Sequence, residues 1–429
     1  MTLDSQEIFS FKKVGKIRDM EIGRFQALAA LKHRNFRLFW CGQLISLMGT
    51  WMQNMAQGWL VLQLTNSPFL LGLVNAVQFT PMLVLALVAG VVADRVPKRR
   101  LLIITQSSLM LLAFTLGILT LTGLVRYWQV LILAGLLGIV NSFDMPARQS
   151  FVVEMVGKHD LMNAIALNSS IFNAARIIGP ALAGLVIGRL GMAASFLLNA
   201  ASFVAVIGGL LLIRVPEDSW PQQAETRILE KIGEGLDYIR RTPVILQAIT
   251  LMASLSILTM NFNVLIPVLA RNTLGQQAEG YGLLMSASGI GAFGGAVMLA
   301  FLSKNGPRRQ LLLGGAAGLC LFQLLLAATR SYFVAFLLLA FTGWSMITFT
   351  ASVNTTLQLN VPDNLRGRVM SVYALVFGGV TPIGSLFSGS IAHLWGAPAA
   401  MATGATMGML SLIIIMYGLP YKKGIRPQH

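Results

Sequence analysis

Three ionisable side chains lie inside long apolar stretches of this chain. Asp144 and Arg148 are one helical turn apart in one stretch, a spacing that allows an ion pair, and Arg176 stands alone in a later stretch. A charge inside a lipid-embedded segment is costly, so such residues are candidates for function. The carboxylate could exchange a proton when the arginine releases it, and an unpaired guanidinium could bind an anion.

Each of these interpretations has a structural alternative. Asp144 and Arg148 could form a static ion pair that closes one end of a helix bundle, with Pro146 kinking the helix between them. Arg176 could be bonded to helix carbonyls or amides. The sequence leaves both questions open.

The elements that must hold these residues are membrane helices. Of 429 residues, 55% are hydrophobic and 11% are charged, whereas soluble domains average about 25% charged residues. This composition excludes an ordinary soluble enzyme, a disordered chain and a disulfide scaffold. Because an unpaired backbone group in lipid is costly and a helix pairs its own groups, the apolar segments are predicted to be helices.

Twelve segments reach the roughly 20 residues that a helix needs to cross a bilayer. They cover residues 38–64, 69–93, 101–123, 127–149, 163–188, 191–213, 244–270, 280–302, 310–328, 332–358, 367–393 and 397–419. The sequence thus predicts an all-α membrane protein with twelve transmembrane helices.

The basic residues are distributed unevenly between the loops. The chain carries 32 Lys and Arg against 16 Asp and Glu, for a net charge of +16. Loops and adjoining helix ends on one side of the predicted helices hold 27 of these cations and loops on the other side hold four, while Arg176 lies well inside a helix. The positive-inside rule then places both termini in the cytoplasm. The cations form no basic helix face, so no nucleic-acid partner is predicted.

A polar stretch at 214–243 divides the helices into two sets of six. Within it, apolar residues recur at helical spacing among charges, which predicts an amphipathic helix on the cytoplasmic surface. These residues are Ile228, Leu229, Ile232, Leu236 and Ile239. Residues 93–101 also resemble 303–311, as expected of a repeated half.

The predicted organisation follows from this division. We expect a cytoplasmic segment at 1–37, six-helix bundles at 38–213 and 244–419, a linker at 214–243 and a cytoplasmic tail at 420–429.

The loop after the second predicted helix carries a family signature. Residues 90–100, Gly-Val-Val-Ala-Asp-Arg-Val-Pro-Lys-Arg-Arg, resemble the G-x-x-x-D-R-x-G-[RK]-[RK] motif of the major facilitator superfamily, with Pro97 at its second glycine. Predicted helix 5 is similar to the motif of the drug:proton antiporter branch, with alanine at three glycine positions. Residues 35–53 and 143–180 resemble the enterobactin-exporter-like branch, whose members expel siderophores, macrolides and other drugs.

The resemblance implies two pseudo-symmetric six-helix bundles, the major facilitator fold, around a central cavity lined by helices 1, 4, 7 and 10. Polar side chains on membrane helices face protein or water rather than lipid. The residues predicted to bind substrate are Gln53, Asn54, Gln57, Arg176, Asn261, Asn263, Trp344 and Thr348. Asp144 and Arg148 are the predicted proton-coupling residues.

The resemblance also implies a latch that closes the cytoplasmic side. Asp94 would dock on the positive end of helix 11, near Arg366 and Arg368. We expect Glu154 to join this gate by pairing with Arg95 or Arg99. The predicted gating residues are Gly90, Asp94, Arg95, Arg99, Glu154, Arg366 and Arg368.

Small residues and a proline are predicted to let helices approach closely. The resemblance pairs helix 5 with helix 8, and helix 2 with helix 11, across the two halves. The predicted packing residues are Gly179, Pro180, Gly184, Gly291 and Gly295.

These features predict a secondary active transporter of the bacterial cytoplasmic (inner) membrane. It would be a monomeric, proton-driven exporter of a small amphiphilic or anionic molecule, a siderophore, macrolide or other drug, working by alternating access. Its partners would be that small-molecule substrate and membrane lipid. It would need no cofactor and no metal, because the proton gradient supplies the energy.

Other functions remain open at this point. An importer or a lipid-like flippase could share this fold. The permease subunit of an ATP-driven pump would need an ATPase partner, because the chain has no G-x-x-x-x-G-K-[ST] loop. The chain has neither an H-E-x-x-H motif nor a visible nucleophile and base, so no catalytic residue and no enzyme activity are predicted.

Overall fold

The computed structural model describes residues 29–214, 228–302 and 309–418, which form helices and no strands. The predicted tail at 420–429 and most of the predicted segment at 1–37 lie outside these ranges. Nine stretches of the described chain are long and apolar enough to cross a membrane. In two of these stretches the chain reverses direction at a glycine, so each stretch contains two helices. Arg34–Thr65 is a further helix. The described chain therefore has the twelve helices that the sequence predicts.

We number these helices α1 to α12 and call the amphipathic helix between the halves the linker helix. Their bounds are Arg34–Thr65 (α1), Pro68–Arg95 (α2), Lys98–Leu121 (α3), 127–156 (α4), 158–190 (α5), Met192–Leu212 (α6), Ile228–Arg241 (linker helix), Pro243–Thr273 (α7), Ala278–Leu302 (α8), Arg309–Ala328 (α9), Tyr332–Asn360 (α10), 363–395 (α11) and 397–418 (α12).

Helix α4 continues to residue 156, well beyond its predicted end at 149. Its last turns are held because Phe151, Val152 and Met155 are buried against α1 and α3, with Phe151 edge-on to Phe39. An apolar run marks the bilayer crossing, whereas packing decides where a helix ends.

Glycines reverse the chain between α4 and α5 and between α11 and α12. Gly157 has a φ of +68° and Gly396 a φ of +85°, a region that residues with a Cβ atom rarely adopt. A straight helix over 127–190 would be about 96 Å long, several times the thickness of a bilayer core. The turn at Gly157 brings α5 back across the bundle instead.

Helices α7 and α11 are interrupted within the bundle. Helix α7 loses regular geometry between Leu258 and Phe262 and ends in a π-helical turn, Leu269–Thr273. Helix α11 contains a π-helical turn at Leu375–Gly379. Such π-helical turns inside helices are frequently found at functional sites.

We name the two ends of the bundle by what lies there. The linker face carries the linker helix and the turn at Gly157, and the far face carries the turns at 66–67, 191 and 396. The linker helix is held to α11 by an ion pair between Glu234 and Arg368. The structure has a helix in this segment, Ile228–Arg241.

The buried core joins the two halves toward the far face. One cluster there connects α1 and α2 with α7, α8, α11 and α12. Near the linker face, one cluster contains only residues of α1 to α6 and the segment before α1, and a separate cluster contains only residues of the linker helix and the second half. The two halves therefore diverge toward the linker face and leave a cleft between them.

Candidate functional site

Contacts between the halves close the far end of this cleft. Trp59 of α1 stacks on Tyr281 of α8, with ring centroids 5.6 Å apart and an angle of 19° between the planes. Arg271 of α7 donates a hydrogen bond to the carbonyl oxygen of Leu62 near the end of α1. A cation is favoured there because the helix dipole is negative at its C-terminal end.

Two glycine-lined seams complete the closure. A Cβ atom at Gly282 of α8 would lie 2.4 Å from the carbonyl oxygen of Pro180, and one at Gly72 of α2 would lie 2.5 Å from that of Ser385 in α11. Gly184 likewise lies against the start of α8, at Glu279. Helix α5 thus pairs with α8, and α2 with α11, as the family resemblance implies.

The other predicted packing residues contact helices of their own half. Gly179 lies against Trp51 of α1, where a Cβ atom would be 2.6 Å from the Cβ of Trp51. Gly291 and Gly295 pack on Ala340 and Trp344 of α10. These two glycines thus pack within the second half, whereas the face of α8 that meets α5 carries Gly282 and Gly289.

At the linker face the predicted latch is open. No atom lies within 4 Å of a Cβ placed on Gly90, and Asp94 is exposed without a partner in the part of the chain that the structure describes. Arg366 pairs with Asp363 at 2.6 Å, and Arg368 pairs with Glu234 of the linker helix. Both predicted partners of Asp94 are therefore engaged elsewhere in this conformation.

Glu154 pairs with Lys98 at 2.8 Å, so the predicted pairing with Arg95 or Arg99 was wrong. Arg99 instead donates to the carbonyl oxygens of Leu210 and Leu211, at 2.7 and 2.9 Å. These carbonyls end α6, where the helix dipole attracts a cation. Arg95 is exposed.

The Asp144 carboxylate is buried and fully hydrogen-bonded. One of its oxygens accepts hydrogen bonds from the Thr105 hydroxyl and the Gln106 amide, both at 2.7 Å. The other accepts from Arg148 Nε at 3.0 Å and also from Arg148 Nη2, and Arg148 Nη1 donates to Gln43 of α1. Because three helices contribute to this network, the geometry favours the static ion pair over an easily released carboxylate.

Arg176 lies in α5 at the seam with α8, where its carbonyl oxygen would be 3.0 Å from a Cβ on Gly289. Its Nε and Nη2 atoms are buried and have no hydrogen-bond partner among the described residues. A buried donor without a partner is costly. The bonded alternative is absent for these two atoms, and they could donate hydrogen bonds to an anionic group.

A polar cavity lies between α1, α2 and α7, with about 360 Å³ of empty space that includes open solvent. Five amide side chains line it, together with Gly58, Leu71, Val74 and Phe79. We call it the amide cavity. The five amides are Asn54, Gln57, Asn75, Gln78 and Asn263.

Three of the predicted substrate-binding residues, Asn54, Gln57 and Asn263, meet in this cavity. Asn75 and Gln78 were not predicted. Their spacing of three residues in the apolar second helix was the available signal, because it puts two amides on one helical face.

The structure places four other predicted substrate-binding residues in helix contacts. Gln53 accepts a hydrogen bond from Asn199 of α6 at 2.6 Å, and Asn261 donates to the carbonyl of Ile257 and lies beside Gly384. Thr348 donates to the carbonyl oxygen of Trp344, and Trp344 packs on Gly295. The polar faces of α1 and α7 are each divided, so one part faces the cavity and another faces a neighbouring helix.

The sequence is similar to known proteins along most of its length. A family model described as a transmembrane secretion effector matches residues 25–425. The staphyloferrin A transporter of Staphylococcus aureus is 26% identical over 389 residues, which are 89% of this chain and 94% of the relative. The multidrug efflux pump Tap of Mycolicibacterium fortuitum is 27% identical over 371 residues, 84% and 90% of the two chains. The enterobactin exporter EntS of Shigella boydii is 24% identical over 391 residues, which are 91% of this chain and 92% of the relative.

Solved structures of other proteins share the fold. A bacterial homolog of the human lysosomal transporter Spinster, in an inward-facing and occupied conformation, superposes with a TM-score of 0.74 at 12% identity and covers 92% of this chain and 99% of its own. The D-xylose–proton symporter superposes with a TM-score of 0.67 at 15% identity and covers 90% of this chain and 99% of its own. These likenesses confirm the predicted major facilitator fold.

Proposed function

Because the chain belongs to the transmembrane secretion effectors of the major facilitator superfamily, we propose that it exports a small amphiphilic or anionic molecule of the siderophore, macrolide or drug class. It acts as a monomer in the bacterial inner membrane with both termini in the cytoplasm, and it uses the proton gradient rather than a cofactor. The names of three relatives support this substrate range, since they are a siderophore transporter, a siderophore exporter and a drug efflux pump.

One observation carries the proposal: the halves are sealed at the far face and apart at the linker face. A substrate can enter a cleft of this form only from the linker face. For release, the contacts of Trp59, Arg271 and Gly282 must separate, while Asp94 closes on α11 at the opposite end. This exchange of seals is alternating access.

Arg176 supports an anionic substrate or substrate group. Two of its guanidinium atoms are buried without a partner among the described residues, and a carboxylate or catecholate oxygen would satisfy them. Substituting Arg176→Gln should then weaken export of acidic substrates and leave uncharged ones unaffected.

Transport in reconstituted vesicles tests the proposal. We expect efflux of a carboxylate or catecholate siderophore, or of a macrolide, that increases with a pH gradient across the vesicle membrane. Efflux that is unchanged after collapse of the gradient would remove the proton from the mechanism. Accumulation in the reverse direction under the same gradient would identify an importer.

The Asp144→Asn variant distinguishes proton coupling by the Asp144 carboxylate from a purely structural role. If Asp144 couples the proton, the variant should keep substrate counterflow and lose gradient-driven efflux. If Asp144 only holds α3, α4 and α1 together, both activities should fall along with thermal stability. Thr105→Val is the matched control, because it removes one donor to the same carboxylate and leaves its charge.

A further inference from the structure

We propose that the amide cavity binds an uncharged, oxygen-rich group of the substrate, one that presents several hydroxyl or carbonyl oxygens. This inference rests on the proposed function and refines its substrate class. It concerns a place distinct from Arg176, which lies at the seam of α5 and α8, whereas the cavity lies between α1, α2 and α7.

The cavity has more hydrogen-bonding capacity than the protein uses. Each amide side chain carries two N–H donors and one acceptor oxygen. Gln57 donates to Gln78 at 2.9 Å, and Asn75 donates to the carbonyl of Leu71 at 3.1 Å. The side chains of Asn54 and Asn263 make no hydrogen bond within the described part of the chain. Donors and acceptors are thus both available to a ligand.

The lining argues against a charged occupant. No ionisable side chain lines the cavity in the part of the chain that the structure describes. An ion that enters such a site loses its hydration and gains no opposite charge. The carboxylate in α4, at Asp144, already accepts hydrogen bonds from Thr105, Gln106 and Arg148 and does not line the cavity.

The lining also argues against a wholly apolar occupant. Filling the cavity with hydrocarbon would separate five amides from water without replacing their hydrogen bonds, which is unfavourable. Leu71, Val74 and Phe79 cover only part of the wall. An uncharged group with alternating carbon and oxygen atoms matches both kinds of surface.

The size and position of the cavity indicate which part of the ligand enters it and what that part contacts. The lined space is small and partly open to solvent, so a siderophore or macrolide would insert one end only. Gly58 lines the cavity and lies beside Tyr281, since a Cβ there would be 3.7 Å from the tyrosine hydroxyl. An occupant thus reaches the contact that seals the far face.

Binding of three related probes to the purified full chain in lipid nanodiscs tests this inference. The probes are an uncharged polyhydroxylated macrolactone, its O-methylated form and a form that carries one amine. We expect the hydroxylated probe to bind about tenfold or more tightly than the methylated one, because methylation removes its donors. Equal binding of the two, or tightest binding of the amine, would overturn the inference.

A substitution in the wall of the amide cavity tests whether the probes bind there. Asn75→Leu should weaken the hydroxylated probe about three- to tenfold, the value of one hydrogen bond, and leave the methylated probe almost unchanged. Gln323→Leu is the matched control, because Gln323 of α9 is a buried amide whose two polar atoms lack partners and which does not line the cavity. An equal loss in the control, or no loss in Asn75→Leu, would contradict the assignment.

A gain-of-binding variant avoids ambiguity from misfolding. The side chain of Asn54 makes no hydrogen bond in the described part of the chain, so Asn54→Asp should fold normally and add a negative charge to the wall. The amine-bearing probe should then gain affinity relative to the hydroxylated probe, and no gain would overturn the inference.

The inference and the proposed function can fail separately. Gradient-driven efflux of charged siderophores without any binding of the uncharged probe would refute only the inference. Binding of the uncharged probe without gradient-driven efflux of any substrate would refute only the function.

Discussion

Tyr281 of α8 stacks on Trp59 of α1 with 5.6 Å between ring centroids, and this contact joins the two halves of the molecule at the far face. Both residues are almost fully buried. Because the halves diverge toward the linker face, this stack belongs to a seal that the transport cycle must break and remake.

Replacing Tyr281→Leu should shift the protein toward a state open at the far face. A stacked aromatic pair contributes about 0.5–1.5 kcal/mol beyond its buried area, which corresponds to roughly a two- to twelvefold change in the conformational equilibrium. The measurement is labelling of an Asn54→Cys background with a membrane-impermeant thiol reagent added from the far side. Phe322→Leu is the matched control, because Phe322 stacks on Phe341 within the second half. Equal labelling of both variants would contradict a sealing role.

A side chain in the glycine seams should prevent closure of the far face. A Cβ at Gly282 or Gly72 would approach backbone oxygens of the other half to 2.4 and 2.5 Å, which is too close to be accommodated. We expect Gly282→Val and Gly72→Val to abolish transport while the protein remains folded, since neither clash lies within one half.

Gly208→Ala serves as the control for these seam variants, because no atom lies within 4 Å of a Cβ at that position. Transport and detergent-solubilised melting are measured on all three proteins. Normal transport by Gly282→Val would show that the seam opens only slightly or is not part of the gate.

Gln53 is predicted to stabilise the first half rather than to bind substrate. Its buried oxygen accepts a hydrogen bond from Asn199 at 2.6 Å. Gln53→Leu leaves the Asn199 amide unpaired and should cost about 1–3 kcal/mol of stability. The double variant Gln53→Leu with Asn199→Leu should recover most of this loss.

Melting temperature and probe affinity separate the two roles of Gln53. Stability should change among these variants while the affinity of the amide cavity stays constant. A large loss of affinity in the double variant at full stability would return Gln53 to the substrate site.

The turn between α4 and α5 should respond to acid. Hydrogen bonds from His33 and His159 hold the pKa of the Asp160 carboxyl below its ordinary value. A lowered folded-state pKa means that this contribution to stability is present above the ordinary value of about pH 4 and is lost as pH falls below it. The contact fixes the segment before α1, where the Ala30 amide also donates to Asn163 at 2.9 Å.

Melting measured between about pH 3 and pH 6 tests this dependence. Asp160→Asn should remove part of the loss of stability at low pH and have a small effect near neutrality. Asp237→Asn is the control, because Asp237 pairs with Arg241 on the exposed linker helix. If the wild type and Asp160→Asn lose the same amount of stability as the pH is lowered, the prediction is refuted.

The sequence by itself determined the helices, because a bilayer demands long apolar segments whose backbone groups are paired internally. It also located the pairing of Asp144 with Arg148, since four residues separate neighbours on a helix. The close pairing of α5 with α8 came from the family resemblance and from glycines that were already visible in α5.

Only the tertiary structure decided which polar residues meet. Asn261 and Asn263 are two residues apart, but α7 is interrupted at this point, so one packs on α11 and the other lines the cavity. Asn75 and Gln78 line the same cavity as Asn54 because α2 lies beside α1 and α7. Helical periodicity alone does not predict which helices are neighbours. The partners of Asp94 and Glu154 likewise depend on how the two halves and the helix ends are placed, since exposed charges many residues apart can pair in several ways at almost equal free energy.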